Sequence, residues 1–73
     1  MSKLSERIKC LRTVHHITQE KLAQHCHISL RTLKYYEAGD RVPDAEVIIR
    51  FCKFFDVSAD YLLGLSDSVS KNS

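Results

Sequence analysis

Apolar residues recur along this chain at helical spacing. Leu4, Ile8 and Leu11 fall at i, i+4 and i+7, which predicts a first helix from about Leu4 to Val14. Thr18 then stands where its hydroxyl can accept from the free amides of a new first turn, and the helix it caps carries Leu22, Ala23 and Cys26 inward. Ser29 is the next N-cap. It opens a third helix to about Ala38 with Leu33 and Tyr36 inward, stopped by Gly39 in the left-handed conformation. Pro43 and Asp44 start a fourth helix, with Glu46 well placed in its first turn and Ile48, Phe51, Cys52 and Phe55 buried. Ser58 caps a short fifth helix, with Asp60 in its first turn and Leu62 inward. The pattern predicts an all-α fold: one compact five-helix domain over residues 1–65, then a polar tail, 66–73, expected to be disordered.

Only His27 and Ile28 separate Cys26 from the cap Ser29. The second and third helices, joined so tightly, cannot lie antiparallel and must cross steeply, which is the geometry of a helix-turn-helix. Ala23 faces the crossing point, where a larger side chain would push the helices apart.

Composition narrows the class further. Seventy-three residues hold one domain. Gly39 and Gly64 are the only glycines and Pro43 the only proline, too few turn formers for an all-β fold. No apolar run approaches the roughly 18 residues of a membrane span. The N-terminus MSKLSERIKC lacks the apolar stretch of a signal peptide, so a cytoplasmic location and no membrane partner are expected. Cys10, Cys26 and Cys52 are an odd number, which argues against a disulfide framework and fits a reducing compartment. Net charge is only +2, but it is unevenly spread: up to Arg41 there are eight bases against four acids, and beyond it three against five. A basic half is what a polyanionic partner requires, although an ordinary solvated surface would look the same by charge alone.

From Ile8 to Gly64 the chain resembles the lambda-type phage repressor, or Xre-like, helix-turn-helix family. The segments ITQEKLAQHCHISLRTLKYYEAGDRVPD and FCKFFDVSADYLLG carry the likeness. Most telling are Thr18-Gln19 with Leu22-Ala23, Tyr36-Glu37-x-Gly39, and Val57-Ser58 with Tyr61-Leu62-Leu63-Gly64. The resemblance implies a lambda-repressor-like domain whose third helix enters the DNA major groove, usually in dimers. His16 and His27 stand where the family usually has glycine. Both places tend to need positive φ, which histidine tolerates better than most residues, at about 1 kcal/mol each. The family pairs the arginine and glutamate at the places of Arg12 and Glu37 across the first and third helices, so the resemblance implies that structural ion pair here.

With Leu33, Tyr36 and Glu37 inward or along the domain, Leu30, Arg31, Lys34 and Tyr35 share the outer face of the third helix. Arg31 can fork onto O6 and N7 of guanine, Leu30 can pack on a thymine methyl, and Lys34 and Tyr35 can reach a base edge or a phosphate. Any surface helix shows long polar side chains; the helix-turn-helix context is what makes these four base-contact candidates. Gln19 and the free amides of its helical turn can bind a backbone phosphate, with Thr18, Ser29, Thr32 and Arg41 as further phosphate candidates. The expected function is a sequence-specific transcriptional regulator, foremost a repressor, bound to double-stranded DNA at an inverted repeat. Four histidines and three cysteines raise the question of zinc, but there is no C-x-x-C, and adjacent Cys26-His27 cannot easily share one tetrahedral ion. No metal is expected. Cys10 with His15 or His16 lacks an orienting shell, so neither catalysis, a cofactor nor a small-molecule substrate is expected.

The second half has an apolar surplus. Val47, Ile49, Phe54, Ala59, Tyr61 and Leu63 fall off the main core faces, and Val47 and Phe54, seven apart, share a stripe with Arg50 between them. Part of this is ordinary exposed apolar surface, and the rest points to a partner. A two-fold homodimer contact is expected from Ala59 and Tyr61, with Phe54 beside them, setting two third helices about 34 Å apart, one DNA turn. The alternative from another class is a protein-interaction module on the same fold, antitoxin-like or regulator-binding, that uses the fourth and fifth helices. The basic, polar outer face from Leu30 to Tyr35 favours DNA.

Overall fold

A computed structural model describes residues 3–69. Five helices follow one another: α1 (Lys3–Val14), α2 (Gln19–His25), α3 (Leu30–Ala38), α4 (Ala45–Phe55) and α5 (Ala59–Leu62), with no strand among the described residues. α1 packs on α3 and α5, α2 on α3, and α4 on α5. Ile8, Leu22, Cys26, Leu33, Phe51 and Leu62 are fully buried where these helices meet. Burying each large apolar side chain stabilises the fold by about 1.5–3 kcal/mol. That shared centre sustains α2 and α5, which at seven and four residues are too short to persist alone. Ala23 is buried, as a close α2–α3 contact requires. No helix among the described residues is long and apolar enough to cross a membrane.

Both ends of the helices are specified locally. Thr18, Ser29, Asp44 and Ser58 accept through their side-chain oxygens from the amides of Lys21, Thr32, Val47 and Tyr61. The C-termini share one solution. His16, His27, Gly39, Asp56 and Gly64 adopt φ of 57°, 58°, 81°, 58° and 84°. The amide after each donates back to the helix: Ile17 to the carbonyl of Arg12, Ile28 to Ala23, Asp40 to Tyr35, Val57 to Cys52 and Leu65 to Asp60. His16 and His27 thus take the positive φ expected of them. Asp56 adds a case that no glycine announces; its short polar side chain makes the left-handed region accessible.

Three expectations for the second half change. Val47, read as lying off the core, is buried, whereas Ile48 is half-buried, because the inward stripe of α4 runs through Val47, Phe51 and Phe55 at i, i+4 and i+8. Phe54 is no free surface group: its ring stacks on His25 at 4.8 Å and meets Phe55 edge-on at 5.1 Å. The chain after Ser66 stays attached to the body. Arg7 donates to the carbonyls of Tyr61 and Ser66 and to the Asp67 carboxylate at 2.9 Å, and the Ser58 amide donates to the Val69 carbonyl at 3.1 Å. The left-handed turn at Gly64 reverses the chain after α5 and lets 66–69 return past these partners. Residues 70–73 of the expected tail lie outside the described residues.

Candidate nucleic-acid interface

The cap at Ser29 sets the rotation of α3. Ser29 Oγ accepts from the Thr32 amide at 3.0 Å and donates to Thr32 Oγ1 at 2.8 Å, so the two hydroxyls hold each other at the start of the helix. Leu33 and Glu37 are then buried on the inner side. Arg31 and Lys34 are left exposed, and Leu30 and Tyr35 half-buried, on the outer side. Arg31 Nε donates to the Tyr35 hydroxyl at 3.2 Å, one helical turn away. Gly39 reverses the chain so that the Arg41 guanidinium lies 4.3 Å from the centre of the same ring, with that of Arg31 at 5.7 Å. One aromatic ring therefore carries two guanidinium groups on the face away from the core.

Behind this face, Glu37 is 5% exposed and Arg12 17%. Arg12 holds the carboxylate with two parallel bonds, Nε to Oε2 at 2.7 Å and Nη2 to Oε1 at 3.2 Å, and its Nη1 donates to the Ile17 carbonyl at 3.1 Å. Such a fork is the favoured geometry for arginine and a carboxylate. Gln19 Nε2 donates to Glu37 Oε1 at 3.1 Å, so one of its two amide hydrogens is committed inward and one remains. These groups floor an open cleft of about 410 Å³ lined by Lys9, Arg12, Gln19, Lys34, Glu37 and Ala38. With Glu37 matched by Arg12, Lys9 and Lys34 leave the cleft positive. Lys9 is the functional candidate that sequence reasoning missed. Its signal was available: it precedes Arg12 by three, which puts both on one side of α1. Thr18 caps α2 at the same end, its hydroxyl exposed beside Gln19.

Within the single chain, the residues expected at a dimer contact have the following neighbours. Phe54 lies on His25. Tyr61 is covered by the Arg7 guanidinium at 4.1 Å from its ring centre. Ala59 lines a shallow groove of about 400 Å³ with Ile49, Cys52, Lys53, Val57, Ser58 and Asp60, and Ile49 there is 52% exposed. Among the described residues no group of three or more His, Cys, Asp or Glu is placed to hold a metal ion. Cys10 is exposed, and Cys26 and Cys52 are buried. Burial pushes the Cys26 thiol up to about 11, opposed in part by the nearby Arg50 charge. His15 donates through Nδ1 to the Leu11 carbonyl at 2.9 Å and packs edge-on against Phe55.

The helix-turn-helix domain family matches the chain over residues 5–68. Two Bacillus subtilis proteins are similar in sequence. The HTH-type transcriptional regulator YobD is 36% identical over 62 residues, covering 85% of this chain and 55% of that protein. The HTH-type transcriptional regulator ImmR is 37% identical over 68 residues, covering 93% of this chain and 53% of that protein. The chain thus spans about half the length of these curated relatives. Among solved structures, the P22 c2 repressor in complex with a synthetic operator superposes with a TM-score of 0.79 and 28% identity, over 82% of this chain and 91% of that one. With five helices that superpose on that repressor, and a family match that runs from α1 past α5, the chain belongs to the helix-turn-helix domain family and has the lambda-repressor-like fold.

Proposed function

We propose that this chain is a sequence-specific, non-enzymatic transcriptional regulator of the cytoplasm, a repressor, that binds double-stranded DNA as a homodimer on an inverted repeat. One observation carries the reading: α3 turns Leu33 and Glu37 into the core and holds Arg31, Lys34 and Tyr35 outward, with Arg41 folded back beside them. In the major groove, Arg31 contacts guanine and Leu30 a thymine methyl, while Lys34 reaches a base edge or the adjoining backbone and Tyr35 lies on the same face beside Arg31. Thr18, Gln19, Ser29, Thr32 and Arg41, joined by Lys9, face the phosphates. The likeness to a repressor that is solved with its operator supports both the groove and the sign of regulation. The homodimer contact is built on Ala59 and Tyr61, with the exposed Ile49 in the groove beside them, an apolar surface that the fold leaves open beside α5.

Selection from a randomised duplex library at two salt concentrations tests this reading. The expected outcome is enrichment of one sequence, with affinity falling steeply as salt rises, because each phosphate contact releases counterions. No enrichment together with a flat salt response would refute it.

A further inference from the structure

Two cations meet the side chain of Tyr35, Arg31 at its hydroxyl and Arg41 over its ring, and this arrangement decides what Tyr35 does. We propose, resting on the DNA-binding reading above, that Tyr35 is a positioning residue rather than a base reader: it aims Arg31 at a guanine and Arg41 at the backbone. Arg31 and Tyr35 are four apart on α3, so they are neighbours on its outer face. Arg31 Nε donates to the Tyr35 hydroxyl at 3.2 Å. A guanidinium can meet two acceptors side-on, through Nε and Nη2, or end-on, through Nη1 and Nη2. With Nε committed to the phenol oxygen, only the end-on fork is left. Guanine alone presents two adjacent acceptors, O6 and N7, in the major groove; adenine sets a donor beside its N7, and thymine offers one acceptor and a methyl. An end-on fork that is already oriented therefore selects guanine and loses less side-chain freedom on binding than a free arginine does.

The same ring also holds Arg41. Asp40 donates its amide to the Tyr35 carbonyl at 2.9 Å across the left-handed Gly39, which fixes the path of the next residue. The Arg41 guanidinium then lies 4.3 Å over the Tyr35 ring, within cation–π range. Arg41 follows the helix rather than belonging to it, so it sits at the edge of the reading face, where the strand backbone passes. A tyrosine that swung away to read a base of its own would release both arginines.

The test uses the duplex selected by the unaltered protein and a set of duplexes changed one base pair at a time. Tyr35→Phe removes the hydroxyl and keeps the ring. It should cut discrimination about fivefold at the G·C pair that Arg31→Ala also relaxes, and at no other pair, with melting temperature and salt slope unchanged. The double variant should lose no more at that pair than Arg31→Ala alone, since the tyrosine acts through the arginine. Tyr35→Leu should in addition weaken binding to all the duplexes alike and flatten the salt slope, because Arg41 loses its platform. If Tyr35→Phe relaxes a different base pair, Tyr35 reads that base itself and the inference is overturned; full retention of discrimination overturns it too. Failure of the unaltered protein to select any duplex would instead remove the DNA-binding reading and this inference with it.

Discussion

Glu37 accepts three hydrogen bonds at a place nearly closed to water, two from Arg12 and one from Gln19. Truncating one partner of such a pair leaves the other charge uncompensated. Arg12→Ala should therefore destabilise the domain by about 3 kcal/mol in urea unfolding; an unchanged midpoint would show that the pair contributes nothing. The cysteines divide in the same way, by surroundings. Alkylation of the native protein should modify Cys10 and spare Cys26 and Cys52 until unfolding, since Cys10 alone is exposed and the Cys26 thiol is held protonated to about 11 against an ordinary 9.0. As pH rises through this window the unfolded chain gives up the Cys26 proton first. The contribution of Cys26 to stability is thus intact below about 9 and lost as pH approaches 11. Which residues turn outward on α3 was legible from period alone. Their partners were not: that Gln19 gives a hydrogen to Glu37, or that Tyr35 holds Arg31, depends on side-chain placement between elements and along a turn, which spacing does not encode.

Helix boundaries are where this chain is most explicit. Thr18, Ser29 and Ser58 are residues whose hydroxyls satisfy free amides, and each caps as its chemistry indicates. Each of the five described helices is followed within two residues by a left-handed residue, yet only Gly39 and Gly64 are glycines. His16→Gly and His27→Gly should each stabilise the domain by about 1 kcal/mol, seen as a rise in melting temperature, because the Cβ strain at positive φ is relieved. A fall instead would mean that the histidine side chains contribute more than their backbone strain. The two glycines are not equivalent. A Cβ at Gly39 would meet Ser5 Oγ at 3.6 Å, an ordinary contact, whereas one at Gly64 would come within 2.6 Å of Lys3 Cβ. Gly39→Ala should cost about 1–2 kcal/mol from its positive φ alone, and Gly64→Ala distinctly more, as α5 is pushed from α1. Equal losses in chemical denaturation would contradict that packing. Asp56 was not legible as a cap because aspartate serves equally well at helix starts, and Val47 was misplaced because a short, strongly apolar helix offers two neighbouring stripes of similar character.

At the scale of the whole molecule, Arg7 joins the first helix to the last described stretch of chain through Tyr61, Ser66 and Asp67. No local pattern announces a contact between residues so far apart, which is why the segment read as free. Arg7→Ala should release residues 66–69, cost about 2 kcal/mol, and speed exchange of the Ser58 amide that donates to Val69. Protection that stays as before would show that the segment is held by other means. The same distribution of charge that the sequence shows, basic up to Arg41 and acidic beyond, becomes in three dimensions a cationic face around α3 and the cleft of Lys9 and Lys34. The claim that this face meets DNA is tested most directly by following every backbone amide by NMR while the selected duplex is added. The largest shifts should fall on Thr18–Gln19, on residues 29–35 and on Arg41, with Lys9 beside them. Shifts confined to the groove of Ile49 and Ala59, with α3 unmoved, would contradict the account.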